Sequence, residues 1–206
     1  MNVFSKALHG RCLIVDMGGL PIDFCHWSKA IVRTLTETAM LIEPYKNSLG
    51  ETQYIHTVKL AIPKPAIIAH AEYHPRVYGI KVRCSTHNVF ARDMMTCQYT
   101  GRKLTKQNAT LDHVIPRASG GKSTWDNLVT CDKYINNLKA EMSLADFQRK
   151  YDHYLQRVPK KPTRSKLLTN LIMLGDNDVW KEYLISNGHA MIEEPTTKLN
   201  RGVLND

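Results

Sequence analysis

The first half of the chain alternates apolar and polar segments in a pattern that predicts several strands and one helix. The segment CLIVDMGGLPIDFC, residues 12–25, contains two apolar runs around a Gly-Gly pair, which is typical of two short strands joined by a turn. Residues 27–40 repeat apolar positions at helical spacing and predict an amphipathic helix. A return strand, MLIEPY, ends at Pro44, and further strand-like segments fall within residues 45–80.

The second half carries the longer helical patterns. Residues 85–95 predict a short helix capped by Ser85 or Thr86, and a longer helix is predicted from Ser143 to Pro159. A basic, proline-containing segment, PKKPTRSK, is interpreted as a linker before a last helix, DVWKEYLIS. We therefore expect an α+β fold with three regions: an N-terminal α/β region (1–80), a central core (81–142) and a C-terminal helical extension (143–206).

Composition narrows the class of protein. The chain has 206 residues, of which 43% are hydrophobic, enough for a sizeable core. It contains no apolar run near the ~20 residues that span a bilayer and no recognisable signal peptide, so we expect a cytoplasmic protein without a membrane partner. The net charge of +9 fits either a nucleic-acid partner or simply a basic surface. The five cysteines, an odd number at low density, are expected to be reduced thiols.

The segment ATLDHVIPRASGGKSTWDNLVTCDKYINN, residues 109–137, concentrates the candidate chemistry. Hydrolysis of a phosphodiester needs a base for the attacking water and a cation for the developing charge. His113 suits the base, and a carboxylate oxygen of Asp112 and an amide oxygen of an asparagine suit a hard cation such as Mg²⁺. Asn136 would lie about one turn into a helix that begins near Cys131. Asn127 can hydrogen-bond the backbone or ring of His113 and fix its orientation. Taken singly, each residue is more typical of structure, as a buried histidine, a capping aspartate or an asparagine in a turn.

Neighbouring side chains on a strand point to opposite faces, which bears on how Asp112 and His113 are used. Both can serve one site only where the strand ends or twists. Pro116 and the loop at Gly120 and Gly121 supply reasons for the strand to end there.

Together these residues resemble the motif of the HNH endonucleases, a hairpin and a helix around one divalent metal (the ββα-metal fold). The resemblance implies that His113 is the general base and that Asp112 and Asn136 hold the metal. It also implies that Asn127 positions His113. Flanking segments, among them NVFARDMMTCQYTG and LIVDMGGLPIDFCHWSKAIVRTL, are similar to bacterial and phage HNH proteins, so the resemblance extends over most of the chain.

The resemblance also ranks two neighbouring asparagines and one lysine. In the family the metal ligand on the helix lies nine residues after the middle asparagine, which selects Asn136 and not Asn137. Lys139 matches a lysine that follows this ligand in many members. Successive residues on a helix point about 100° apart, so only one of the two asparagines can face the metal.

The chain departs from its relatives where they carry two CxxC pairs around a structural zinc. The first pair reads CQYT (97–100) and the second DKYI (132–135), with Cys131 displaced by one residue. Threonine and isoleucine are not zinc ligands, so we expect structural zinc to be absent. A retained zinc would need Cys131, Asp132 or a distant histidine to complete the site. Three side chains are expected to pack where the metal would have tied the loops: Tyr99, Tyr134 and Ile135.

The resemblance implies a metal-dependent DNA endonuclease with Mg²⁺ or Mn²⁺ as cofactor, which leaves a 3′ hydroxyl. A phage-type nuclease, acting in the cytoplasm of its bacterial host, a homing enzyme and a defence nuclease all fit. One site cuts one strand, so double-strand cleavage would need a homodimer or two visits. The alternative is a nucleic-acid-binding protein that keeps the scaffold and no longer cuts.

Contacts with DNA are expected from basic residues around the motif. Arg117 and Lys122 flank the glycine loop, and Lys139 lies on the predicted metal helix, so all three are expected to meet phosphates. Trp125 is expected to be a core anchor and not a platform for base stacking.

Overall fold

The computed structural model describes residues 10–70 and 81–190, which form the α+β fold predicted from the sequence. The strands of these residues are β1 (Arg11–Val15), β2 (Pro21–His26), β3 (Ala39–Pro44), β4 (Tyr54–His56), β5 (Ala61–Pro63), β6 (Pro65–His70), β7 (Ala109–His113) and β8 (Leu128–Asp132). The helices are α1 (Trp27–Leu35), α2 (Thr86–Arg92), α3 (Lys133–Lys139), α4 (Leu144–Tyr151), α5 (Arg164–Leu174) and α6 (Asp178–Ser186). None of the described helices has the length and apolar character needed to cross a membrane.

The N-terminal region is a four-stranded sheet with helices on both faces. The strand order is β2-β1-β6-β3, in which β1 and β6 are parallel and the outer strands pair antiparallel to their neighbours. Cys12 and Ile14 of β1 pack in a cluster with Ala30 of α1, whereas Leu13 and Val15 pack on the opposite face with side chains of α5 and α6. The near-continuous apolar run of β1 follows from this burial on two faces.

Helix α6 is anchored to the sheet by Trp180. This side chain is fully buried, and its Nε1 donates a hydrogen bond to the carbonyl oxygen of Ala66 at 2.8 Å. The ring of Phe24 stacks on it with the centroids 5.2 Å apart. The apolar area buried by one tryptophan therefore joins the last described helix to β2 and β6.

Three helix predictions need correction at their ends, and one of these is the helix predicted over residues 85–95, which ends at Arg92. The helix predicted to run from Ser143 to Pro159 stops at Tyr151, because Asp152 adopts a left-handed conformation with a φ of 53°. The first helix likewise ends at Leu35, since residues from 39 onwards join β3. The cap predicted at Ser85 is confirmed: its Oγ accepts a hydrogen bond from the backbone N–H of Asn88 at 3.3 Å.

The interpretation of PKKPTRSK as a linker is wrong for its second half, because α5 begins within it. The hydroxyl oxygen of Thr163 accepts the backbone N–H of Lys166 at 3.2 Å and so caps the helix. Leu167, Leu168 and Ile172 then bury one side of it. The signal was present in the sequence as a threonine before the run LLTNLIML, and Gly175 follows its end.

Helix α5 packs against both the N-terminal sheet and the central region of the chain. Its Leu167 packs in the cluster of Val129 and Ile135, and its Ile172 packs in the sheet cluster. Asn170, which is buried, donates from Nδ2 to the carbonyl oxygen of Ala91 at 3.0 Å. Phe147 of α4 also lies in the cluster of Val129. The predicted region boundaries at 80/81 and 142/143 remain predictions.

Candidate active site

The motif folds into a hairpin followed by a helix. Strands β7 and β8 pair antiparallel, with Asp112 opposite Val129 and His113 opposite Leu128. Helix α3 follows β8 directly and contacts both strands. Asp132 caps this helix, since its Oδ1 accepts the backbone N–H of Tyr134 at 2.8 Å. This is the ββα arrangement that the resemblance implies.

A tight loop connects the two strands. His113 is the last residue of β7, as the sequence predicts, and a short 3-10 turn, Arg117–Ser119, leads to Gly120 at a φ of 84°. A β-carbon on Gly121 would lie 1.8 Å from the carbonyl oxygen of Ile115, so no other residue fits there without moving the backbone. The two glycines therefore fix the course of the loop beside the strand end.

Asn127 holds this loop and does not bond His113, which corrects the sequence-based expectation. Its Oδ1 accepts the backbone N–H of Ile115 at 2.7 Å, and its Nδ2 donates to the carbonyl oxygens of Ile115 at 3.1 Å and Lys122 at 3.0 Å. The register explains the difference. Because His113 pairs with Leu128, Asn127 lies one step further along and faces the chain after the strand. Asn127 thus positions the segment that leaves His113.

Asp112 is buried between a phenol and an ammonium group. The hydroxyl of Tyr99 donates to its Oδ2 at 2.5 Å, and Lys139 Nζ lies 3.2 Å from Oδ1 and 3.1 Å from Oδ2. Burial, and then the Asp112 charge, raise the pKa of Tyr99, so the phenol stays protonated and donates. Tyr99 was not predicted as part of the site, because only the fold brings it to a residue thirteen positions away.

The structure also corrects the position of Lys139, which was expected to contact DNA. Its side chain is 0% exposed and its Nζ donates to the carbonyl oxygen of His113 at 2.8 Å, besides pairing with Asp112. Ile135 and Lys139 are four residues apart, so they share the inner face of α3. Lys139 therefore holds the end of β7 and offers no charge at the surface to a phosphate.

The side chain of His113 contacts other residues than the side chain of Asp112 does. Its Nε2 lies 2.9 Å from the hydroxyl oxygen of Ser123, and the side chain is half-buried. Burial first, and then the charge of Arg117, lower the pKa of His113, which favours the neutral, proton-accepting imidazole near pH 7. Ser123 was missed from the sequence, because a serine in a loop carries no signal of its own.

The two neighbouring asparagines of α3 differ in their surroundings. Asn136 is half-buried and donates from Nδ2 to the carbonyl oxygen of Leu111 on β7 at 3.3 Å, whereas Asn137 is exposed. Within the described part of the chain, no hydrogen bond to Oδ1 of Asn136 is formed. Asn136 and Lys139 are three residues apart and so lie on the same face of the helix, towards β7.

The oxygen donors of Asp112 and Asn136 fit a hard divalent cation. Residues 10–70 and 81–190 contain no group of three His, Cys, Asp or Glu side chains that could hold a metal, so an all-protein cage is not present there. Mg²⁺ does not require one, since it keeps several waters and binds through one or two protein oxygens plus substrate phosphates. A carboxylate offers about four lone-pair positions, so Asp112 has acceptor capacity beyond Tyr99 and Lys139, but a cation there would meet the Lys139 ammonium 3.1 Å from Oδ2.

The basic residues of the loop lie at the surface. Arg117 and Lys122 are both exposed beside the strand end, where they can reach a polyanion without losing a buried partner. Trp125 is confirmed as a core residue: it is 7% exposed, and its Nε1 donates to the carbonyl oxygen of Val82 at 3.2 Å.

Apolar packing holds the two segments that carry zinc ligands in similar proteins. Tyr99 and Ile135 are buried in one cluster with Cys97 and Cys131, as expected for the first two. The prediction for Tyr134 is wrong, because its side chain is 70% exposed on the outer face of α3. The contact with Cys131 holds the pKa of Cys97 low, at about 5, and the same contact raises the pKa of Cys131. The absence of structural zinc stays a prediction.

Comparison with known proteins agrees with this geometry. The family model of the HNH endonucleases matches residues 97–151, which run from the CQYT segment through β7, β8 and α3 to the end of α4. Among curated proteins, none matches the chain. The similarity to HNH proteins inferred for the N-terminal and C-terminal segments lies outside the matched residues and stays a prediction. HNH domains act on nucleic acids and generally use a divalent metal. Residues 97–151 therefore form an HNH endonuclease domain.

Proposed function

We propose that this protein is a metal-dependent DNA endonuclease that hydrolyses one phosphodiester per site. The observation that carries the proposal is the placement of these residues around one strand: half-buried His113 ends β7 directly after Asp112, Asn136 of the following helix bonds to Leu111 of the same strand, and an exposed basic loop follows the strand end. A binder without activity would need the basic loop and not the rest of this arrangement. Mg²⁺ and Mn²⁺ are the expected metals.

The chain's own residues would divide the work as follows. The imidazole of His113 takes the proton of the attacking water, and Ser123 holds the ring in place. Lys139 fixes the backbone of His113, and Asn127 fixes the loop beside it. Asp112 and Asn136 would hold a divalent cation, which when bound would supply charge stabilisation to the phosphate and the leaving oxygen.

Arg117 and Lys122 would carry the phosphate contacts that position the duplex. Cleavage leaves a 3′ hydroxyl when water displaces the 3′ oxygen from phosphorus. One such site cuts one strand, so the expected first product from plasmid DNA is the nicked circle. A second copy of the chain, or a second visit, would be needed for linear product.

The proposal is tested by incubating the purified protein with supercoiled plasmid and with genomic DNA, in Mg²⁺, in Mn²⁺ and with EDTA. The proposal is supported if plasmid relaxation requires metal and if its rate falls by about 10²–10⁴-fold in His113→Ala. The variant should bind DNA within a few-fold of the unaltered protein, because Arg117 and Lys122 remain. Undiminished cleavage by His113→Ala would reject His113 as the base.

The alternative of a scaffold that binds and no longer cuts is favoured by one observation. Both oxygens of Asp112 already accept hydrogen bonds from Tyr99 and Lys139, so a metal must compete with a buried ammonium for them. Salt-sensitive DNA binding without cleavage of either substrate, in either metal, would select this alternative.

A further inference from the structure

Two thiols of the N-terminal sheet face each other across neighbouring strands. Cys12 on β1 and Cys25 on β2 are directly opposite in the antiparallel register, and Cys25 packs against the cluster that contains Cys12. Opposite residues in such a pair have Cα atoms about 4.5–5.5 Å apart, which falls within the range of about 4.4–6.8 Å that a disulfide spans. The backbone therefore already has the spacing that a bond between the two sulfurs needs.

The two thiols differ in their access to solvent and in their electrostatic surroundings. Cys25 is half-buried, whereas Cys12 is fully buried. The contact with the Cys12 thiol, together with the charges of Arg33 and Lys29, lowers the pKa of Cys25 against the opposing effects of burial and Asp23. The same contact, together with burial, raises the pKa of Cys12. This is the asymmetry of an attacking thiolate and a resolving thiol.

A second thiol pair in the molecule provides an internal comparison. Cys97 and Cys131 also contact each other, but both side chains are 0% exposed. Thiol–disulfide exchange requires that the attacked sulfur be reached by the reagent. The buried pair should therefore react only when the surrounding core opens.

We propose that Cys25 and Cys12 form a reversible intramolecular disulfide by exchange with a low-molecular-weight disulfide such as glutathione disulfide. The Cys25 thiolate attacks one sulfur of the reagent, forms a mixed disulfide and releases one thiolate. Cys12 then loses its proton to solvent and attacks the Cys25 sulfur, which releases the second thiolate. In sum, two protein thiols and one disulfide give one protein disulfide and two small thiols.

The test treats the full chain with glutathione disulfide, unfolds it and counts free thiols. The expected result is a decrease from five thiols to three, with a Cys12–Cys25 crosslink found by peptide mass mapping and reversed by dithiothreitol. Cys97→Ser should form the same crosslink. A crosslink that joins Cys97 to Cys131 instead, or a count that stays at five, would overturn the proposal.

Two variants separate the roles of the paired thiols. Cys12→Ala, which keeps a small apolar side chain in the core, should stop at the mixed disulfide and carry one glutathionyl adduct on Cys25. Cys25→Ser, at the more exposed position, should carry no adduct on Cys12. An adduct on Cys12 in the second variant, or none on Cys25 in the first, would show that the order of attack is wrong.

Discussion

The N-terminal sheet and the HNH region, here residues 81–142, are built on different kinds of core. In residues 10–70 the one buried polar side chain of the described segment is His70, and the remainder of the buried set is apolar. In the HNH region the buried polar side chains include the following: Asp93, Asp112, Asn127, Thr130 and Lys139. Buried charges are costly unless they are fully paired, and apolar residues can often replace them without loss of stability. We therefore propose that the polar core is retained for the candidate site that it positions.

The largest effect is expected when the buried ion pair is broken. Asp112→Asn keeps the shape of the side chain, but an amide nitrogen that donates replaces one of the two oxygens that accept Tyr99 and Lys139, and the Lys139 charge loses its partner. We expect a loss of about 3–5 kcal/mol in the free energy of unfolding, measured by urea denaturation. A loss below about 1 kcal/mol would mean that the pair is not buried as described.

The second comparison uses matched apolar truncations in the two cores. Ile135→Ala in α3 and Ile67→Ala in β6 both remove a buried side chain, and each should cost about 2–5 kcal/mol in urea denaturation. Only Ile135→Ala should also slow plasmid cleavage by the folded fraction, because α3 carries Asn136 and Lys139. Equal slowing by both variants would show that the sheet and the site are not separable in this way.

A smaller effect is expected from the phenol that was not predicted. Tyr99→Phe removes the donor to Asp112 and leaves the ring in the core, so we expect a loss of about 1.5–3 kcal/mol, the range for a hydrogen bond to a charged group. It should also change the Mg²⁺ concentration that gives half-maximal cleavage, because Asp112 is held less firmly. A shift in stability with no change in metal dependence would assign Tyr99 a purely structural role.

Substitution of the two asparagines of α3 is expected to have the smallest effect on stability, and one of them should clearly lower the affinity for metal. Asn136→Ala should lower the affinity for Mn²⁺, measured by isothermal titration calorimetry without DNA, while the exposed Asn137→Ala serves as the matched control. Both should remain within about 1 kcal/mol of the unaltered protein in stability. Equal losses of Mn²⁺ affinity at both positions would show that the nine-residue interval was assigned to the wrong residue.

The sequence motif predicted the strands and the helix of the site. It did not predict which of their side chains are buried. The resemblance to the HNH motif predicted the hairpin, the helix and the choice of Asn136, and Pro116 with the glycine loop indicated a strand end near His113. The sequence alone could not distinguish a lysine at the surface from a buried one. Lys139 was predicted to contact DNA because it is basic and lies on the metal helix. Its buried position is instead determined by the carboxylate of Asp112 and by the inner face of α3.

Other errors have similar physical causes. The partner of Asn127 depends on the register of β7 and β8, which a spacing of fourteen residues does not specify. Tyr99 and Ser123 join the site only through the fold. Helix α5 was hidden because prolines and lysines precede it, although the cap at Thr163 and the apolar run after it mark its start.

The most direct test of the account is a double variant, Asp112→Asn with Lys139→Met. Removing both charges leaves the carboxamide of residue 112 to accept Tyr99 and fills the lysine's space with an apolar chain, so most of the stability lost in Asp112→Asn should return in urea denaturation. Plasmid nicking in Mg²⁺ by this folded variant should stay at least about tenfold below that of the unaltered protein, because the carboxylate proposed to hold the metal is gone. A stable double variant that nicks plasmid at the unaltered rate would contradict the claim that this polar core exists for the site.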